Sequence, residues 1–144
     1  MPKVLISDKL SAESVKVFEK YGIDVEINTN LSEKNLNNKI GSFDGLAIRS
    51  STQVTKKTLE YANNLKIIGR AGIGVDNIDL DMATQKGIIV MNTPFGNSIT
   101  TAEHTIALMM ALSRNIPLAN ASTHEGKWEK SLFTGTELYS KVLG

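Results

Sequence analysis

Two arginines and a glycine-rich turn are the residues of this sequence best suited to bind an anion. Arg49 and Arg70 each stand at the end of a short apolar run that predicts a strand. Shortly after Arg70, Gly72 and Gly74 flank Ile73, so that backbone N–H groups lie open with no Cβ in the way. Arginine binds carboxylate and phosphate through paired, charge-assisted hydrogen bonds. The pattern predicts a carboxylate or phosphate site, although a plain tight turn beside two solvated arginines explains the same residues.

Other kinds of chemistry find little support. The chain has no cysteine, and neither His104 nor His124 has a partner at metal-ligand spacing, so we expect no metal. No G-x-S-x-G motif indicates serine hydrolysis. A dinucleotide fingerprint would need a third glycine where Asn77 stands. A receiver-type function would need an acidic cluster after the first strand, and only Asp8 fits.

Apolar runs alternate with helical patterns along the first hundred residues. Strands are predicted at 4–6, 23–27, 45–48, 66–68 and 88–91. Helices are predicted at 11–21, after Ser32, after Thr55 and from Asp79 to Lys86, the last three with Ser32, Thr55 and Asp79 as their N-terminal caps. This alternation predicts an α/β fold, a flavodoxin-like, doubly wound parallel sheet of five strands. Because ligands bind at the carboxyl ends of such strands, the fold would bring Arg49 and Arg70 to the binding edge.

The pattern changes after Asn97. Thr100 and Glu103 have the spacing of a capping box, and residues 106–112 are apolar on every side of a helix. Such a helix is either core or a connector packed between two domains or two subunits. A second helix is predicted from Pro117 to about Gly126. Residues 141–144 resemble the start of a strand, which suggests that the chain is the N-terminal part of a longer protein.

Composition excludes several classes of partner. Sixteen Lys and Arg residues against fifteen Asp and Glu residues give a net charge of +1, so no basic field attracts nucleic acid. The N-terminus lacks the apolar core of a signal peptide, and no apolar run approaches the ~20 residues of a membrane span. We therefore expect a cytoplasmic protein that binds neither nucleic acid nor membrane.

Several segments, taken together and in order, resemble the D-isomer-specific 2-hydroxyacid dehydrogenases. They are IRSST, GRAGIGVDNID, MNTP, AEHTIALMMALSRNIP and GKWEKSLFTGTEL. The resemblance implies an NAD-dependent oxidation with D-3-phosphoglycerate as the expected substrate, at the entry to serine biosynthesis. It also implies a substrate-binding domain over residues 1–97, followed over 98–144 by connector helices and the incomplete beginning of a Rossmann domain that binds NAD.

The resemblance also assigns site residues. Substrate-binding positions are Arg49, Arg70, Ile73, Gly74 and Asn97, to which the anion-binding turn adds Gly72; the positions facing the nicotinamide are Ile73 and Thr101. Lys130 stands where relatives often have an arginine and is expected to help with phosphate. The catalytic residues would lie beyond residue 144, so the chain alone is expected to be inactive, and no metal is implied.

Three further expectations depend on this resemblance. Family dimers suggest a homo-oligomer formed through residues 98–126. A dehydrogenase for another D-2-hydroxy acid, of the glycerate, lactate or glyoxylate type, remains an alternative within the enzyme class. A non-catalytic binding module resembling the dehydrogenase-like corepressors is the alternative from another class.

Overall fold

The computed structural model describes all 144 residues, which divide into two compact units, Met1–Gly96 and Asn97–Gly144. Each unit is built around its own elements. None of the helices combines the length and the apolar character that crossing a bilayer requires.

The first unit is a parallel sheet of five strands with helices between them. The strands are β1 (Lys3–Ile6), β2 (Asp24–Ile27), β3 (Gly45–Ile48), β4 (Ile67–Arg70) and β5 (Ile89–Asn92). The helices are α1 (Ala12–Lys20), α2 (Glu33–Ile40), α3 (Lys56–Tyr61) and α4 (Leu80–Gln85). The strand order is β2-β1-β3-β4-β5, which confirms the predicted flavodoxin-like sheet.

Both faces of the sheet carry apolar side chains, because successive residues of a strand point to opposite sides. Leu5 and Ile68 lie in the larger core with residues of α2, α3 and α4. Val4 and Ile6 belong to the smaller core, against which Phe18 of α1 packs. Helices therefore cover both faces, as a doubly wound sheet requires.

Short polar side chains begin three of the four helices as the sequence predicts. The side chains of Ser32, Thr55 and Asp79 each accept a hydrogen bond from the backbone N–H three residues further on. Ser11 precedes α1 without such a bond. Gly22 follows α1 with φ +68°, a left-handed conformation that suits glycine and ends the helix.

The second unit contains α5 (Ser98–Ser113), α6 (Ile116–His124) and a short 3-10 helix (Lys130–Phe133). The predicted capping box is wrong, because α5 begins with Asn97 as its N-cap and Thr100 and Glu103 lie inside the helix. The expected strand at residues 141–144 is also not formed. A strand needs a hydrogen-bonded neighbour, and these four residues pair with none.

Candidate functional site

Arg49 and Arg70 lie at the carboxyl ends of two neighbouring strands. Ile48 of β3 is in register with Arg70 of β4, and the N–H of Ala71 donates to the Ile48 carbonyl at 2.8 Å. Neighbouring strands run about 4.8 Å apart, so the backbone of Arg49 lies one residue beyond the partner of Arg70 on the next strand. Arg49 is exposed, and its guanidinium takes no part in the hydrogen bonds or ion pairs of the chain.

Arg70 is buried, unlike Arg49, with 9% of the residue exposed. Its Nη1 donates to the Gly74 carbonyl, and its Nη2 lies 3.8 Å from a carboxylate oxygen of Asp76. The alternative of two solvated arginines therefore does not hold for Arg70, because the turn that follows β4 folds back over its guanidinium. The Nε of Arg70 is buried and has no hydrogen-bond partner. Arg70 also lines a cavity of about 220 Å³.

The glycine turn wraps around the Arg70 guanidinium. A Cβ on Gly72 would lie 3.1 Å from Arg70 Nη1, and one on Gly74 would lie 3.3 Å from the same atom. The N–H of Gly72 donates to the Arg70 carbonyl at 2.9 Å, so the expectation of an open N–H is wrong at this residue. Ile73 and Gly74 form no backbone hydrogen bond through their N–H groups, which leaves two amides for a ligand.

The end of β5 fixes this turn from the other side. Asn92 Nδ2 donates to the Ile73 carbonyl at 2.7 Å, and the Thr93 N–H donates to the Gly72 carbonyl at 3.0 Å. Both carbonyls of the turn are thereby held by the last residue of β5 and the residue that follows it. Sequence reasoning missed Asn92; its place directly after an apolar run, like that of Arg70, was the available signal.

Two other buried side chains, also missed from the sequence, contact the loop that carries Arg49. Asp8 follows β1, and Asn77 lies between β4 and α4. Asp8 accepts hydrogen bonds from backbone N–H groups of the loop, and Asn77 donates to its carbonyls. Asp8 therefore holds this loop in place and is not part of the acidic cluster that a receiver-type function would need.

The remaining site positions belong to the second unit. Asn97 is the N-cap residue of α5, and its carbonyl accepts from the Thr101 N–H at 2.9 Å, while its side chain makes no capping bond. Thr101 therefore lies in the first turn of α5. Lys130 begins the short 3-10 helix and lines a cavity of about 730 Å³ together with Arg114 and Trp128. The structure gathers Arg49, Arg70 and the turn in the first unit, and Asn97 with Thr101 in the second.

A flavodoxin-like sheet that presents arginines at its carboxyl edge is the architecture of a ligand-binding α/β domain. Residues 4–136 match the model of the D-isomer specific 2-hydroxyacid dehydrogenase catalytic domain. Since the match covers most of the chain, this protein belongs to that family.

Two archaeal relatives with similar sequences share the same name. The D-3-phosphoglycerate dehydrogenase of Archaeoglobus fulgidus is 48% identical over 142 residues, which cover 99% of this chain and 27% of that protein. The D-3-phosphoglycerate dehydrogenase of Methanocaldococcus jannaschii is 49% identical over 144 residues, again 27% of its length. The chain thus spans about a quarter of the length of these relatives.

Solved structures give the same picture. A crystal structure of a Pyrococcus horikoshii protein has a TM-score of 0.83 at 36% identity, over 95% of this chain and 42% of that one. An NAD-bound 3-phosphoglycerate dehydrogenase from Entamoeba histolytica has a TM-score of 0.69 at 30% identity, over 78% of this chain and 39% of that one. The fold is therefore shared with longer dehydrogenases.

Proposed function

We propose that this chain supplies the substrate-binding region of an NAD-dependent dehydrogenase that oxidises D-3-phosphoglycerate to 3-phosphohydroxypyruvate, at the entry to serine biosynthesis in the cytoplasm. The observation that carries the proposal is the pair Arg49 and Arg70, which leave adjacent strands beside a turn with two unengaged amides. The name borne by the archaeal relatives supports the choice of substrate.

The substrate has two anionic groups, a carboxylate and a phosphate, and the two arginines differ in a way that suits them. Arg49 is exposed and unpaired, so its guanidinium is free to form a bidentate contact with an incoming anion. Arg70 is already oriented by Gly74 and Asp76, and offers a fixed charge at short range. An unphosphorylated acid such as lactate has only one anionic group and would engage fewer of these arginines than a phosphorylated acid does. Two arginines therefore favour the phosphorylated substrate.

NAD, when bound, accepts the hydride from C2 of the substrate. Ile73 fits a place beside the nicotinamide, because its N–H is unengaged and its residue is 43% exposed at the turn. We assign Thr101 to the same cofactor and Asn97 to the substrate cleft, on the family's pattern. We do not assign the pyrophosphate to the turn at 71–74, because Asn77 stands where the dinucleotide fingerprint needs its third glycine. We assign the pyrophosphate site and the catalytic base to residues outside these 144.

Residues 98–144 are proposed to connect the substrate-binding domain to the NAD-binding domain and to begin the latter. We also propose that residues 98–126 mediate self-association. Helix α5 buries none of its sixteen residues, although its composition is strongly apolar. A helix that is apolar all round is ordinarily covered by protein.

The direct test is to assay the natural protein that carries this chain with NAD and D-3-phosphoglycerate, D-glycerate or D-lactate. We expect Arg49→Ala to raise KM for D-3-phosphoglycerate by at least about tenfold, because a charge-assisted hydrogen bond contributes roughly 1.5–3 kcal/mol. The change in KM for D-glycerate should be smaller, since that substrate lacks the phosphate.

Lys20→Ala is the matched control. Lys20 is an exposed cation at the end of α1 away from the carboxyl edge, so its loss changes the net charge equally and should leave KM unchanged. A preference for D-lactate or D-glycerate, or an unchanged KM in Arg49→Ala, would contradict the proposal. The 144-residue chain alone is expected not to consume NADH with 3-phosphohydroxypyruvate.

A further inference from the structure

We infer that Asp8 and Asn77 are positioning residues that together fix the loop Arg49–Thr52 and thereby set the direction in which Arg49 meets its anion. The inference rests on the proposed function, because it concerns the same anion site. Neither side chain is assigned to substrate contact. Both act through the backbone of Arg49, the residue that is assigned to substrate contact.

Asp8 holds the N–H side of the loop. Its Oδ2 accepts from the Arg49 N–H at 2.6 Å and from the Thr52 N–H at 3.1 Å. Its Oδ1 accepts from the Thr52 hydroxyl at 2.9 Å, and that hydroxyl also lies 2.9 Å from the Ser7 hydroxyl. One carboxylate thus fixes both the first and the last residue of the loop.

Asn77 holds the carbonyl side of the same two residues. Its Nδ2 donates to the Arg49 carbonyl at 2.8 Å and to the Thr52 carbonyl at 2.7 Å. The backbone of Asn77 is itself anchored, since its carbonyl accepts from the Val54 N–H at 2.8 Å. All four backbone polar groups of Arg49 and Thr52 therefore have a partner from Asp8 or Asn77.

The strand order explains why these two residues are available. β3 lies between β1 and β4 in the sheet, so the segments after β1 and β4 flank the loop after β3 on its two sides. Asp8 comes from the first segment and Asn77 from the second. They are 6% and 5% exposed respectively, and buried hydrogen bonds resist exchange with water.

The consequence for Arg49 is a restricted backbone beneath a free side chain. A guanidinium on a mobile loop loses more conformational entropy when it binds, and that loss lowers affinity. With both ends of the loop held, the Cα–Cβ direction of Arg49 is set before the anion arrives. Replacing either Asp8 or Asn77 should weaken anion binding without removing any group that touches the anion.

The experiment is an NMR titration of the ¹⁵N-labelled 144-residue chain with D-3-phosphoglycerate, following the Arg49 backbone amide and its Nε–H signal. We expect Asp8→Ala and Asn77→Ala each to weaken binding by about tenfold, because the released loop must then be ordered when the anion binds. Asp8→Asn should restore most of the affinity, because its amide oxygen still accepts from both N–H groups and its NH₂ faces the Thr52 hydroxyl. If Asp8→Ala does not fold, Asn77→Ala still tests the hydrogen bonds on the carbonyl side of the loop.

Asn37→Ala is the matched control for loss of a buried amide. Asn37 lies on α2 and is 7% exposed, so its removal should lower stability while leaving the titration unchanged. If Arg49→Ala weakens binding but Asp8→Ala and Asn77→Ala titrate like the wild type, the inference is overturned and the proposed function stands. If Arg49→Ala also titrates like the wild type, the anion site itself is wrong and both fall.

Discussion

At the scale of single residues, the two arginines differ in how much of their hydrogen-bonding capacity the chain already uses. Arg70 donates to the Gly74 carbonyl and pairs with Asp76, whereas Arg49 has no partner. The exposed Asp76 side chain contributes little to stability, because ion pairs with a solvated partner are weak. Arg70 is therefore held mainly by the turn, and the shape of the turn decides where its charge lies.

Gly74→Ala should displace that charge with little effect on the fold. A Cβ would lie 2.8 Å from an Asp76 oxygen, which is free to move, and 3.3 Å from Arg70 Nη1, which is buried. Gly74 has no left-handed φ, so alanine fits its backbone. A displacement costing about 1 kcal/mol would raise Kd for D-3-phosphoglycerate roughly fivefold.

Gly69→Ala provides the comparison, since a Cβ there meets nothing within 4 Å. We expect its Kd to equal that of the wild type in the same NMR titration. Equal affinities for Gly74→Ala and the wild type would show that the position of the Arg70 guanidinium does not limit binding.

Sequence reasoning placed both arginines correctly at the edge of the sheet, because strand patterns report where strands end. It could not place their partners. Asn92 and Asp8 act through hydrogen bonds between loops that are distant in sequence, and such pairs leave no periodic signal. The burial of Arg70 could not be predicted for the same reason, because it depends on the path of the turn that follows β4.

At the scale of elements, Glu26 ties the edge strand β2 to its neighbours. Its carboxylate accepts hydrogen bonds from Lys39 of α2 and, at 3.1 Å, from Lys3 of β1. These two hydrogen bonds lower the pKa of Glu26 below its usual value, the one from Lys39 more than the one from Lys3. The pKa of Asp44 is lowered as well, chiefly by the hydrogen bond from the Lys3 N–H and next by the hydrogen bond from the Lys66 ammonium.

Stability should therefore fall on the acid side. A carboxyl whose pKa is lower in the folded chain than in the unfolded chain stabilises the fold at a pH above its unfolded value. For Glu26 and Asp44 that contribution is complete above about pH 5 and is lost as the pH falls below about 4. Urea unfolding between pH 3 and pH 7 measures it.

Glu26→Gln isolates one of the two groups. The variant should be less stable than the wild type near neutral pH and should approach it as the pH falls, because the wild-type carboxyl then becomes neutral as well. Glu13→Gln, which alters an exposed i,i+3 pair on α1, is the control. Parallel stability curves for Glu26→Gln and the wild type would contradict the role of Glu26.

Element boundaries show which local signals suffice. Ser32, Thr55 and Asp79 were predicted as caps and bond as caps, because each precedes a helix whose apolar face packs on the sheet. The capping box at Thr100 failed because residues 98–99 are already helical. The residues at this boundary are nearly all polar, so the sequence offers several possible caps and does not single out Asn97.

At the scale of the whole molecule, the two units differ in where their apolar residues lie. Residues of the first unit form two buried cores. In the second unit, α5 buries nothing, and Leu112 and Leu118 are 82% and 64% exposed. Exposed apolar surface on this scale marks an interaction site.

We expect the chain to self-associate through residues 98–126 at tens of micromolar, measured by sedimentation velocity. The double variant Leu112→Glu with Leu118→Glu should shift the chain toward monomer, because burying two carboxylates in an apolar contact is unfavourable. Val17→Glu, at an exposed apolar residue of α1, should not. A wild-type chain that sediments as a monomer would contradict the proposed interface.

The position of β5 has a consequence for the lifetime of the binding turn. β5 is an edge strand, held by one ladder only, and it carries both ties to the turn, the Asn92 side chain and the Thr93 N–H. Edge strands fray at a lower free energy than central ones, and their opening does not need global unfolding. Each fraying event at β5 also releases the carbonyls of Gly72 and Ile73, whereas the loop that begins with Arg49 follows the central strand β3 and is held by Asp8 and Asn77. We therefore expect the turn that holds Arg70 to open more often than the loop that carries Arg49, a difference that amide hydrogen exchange would measure.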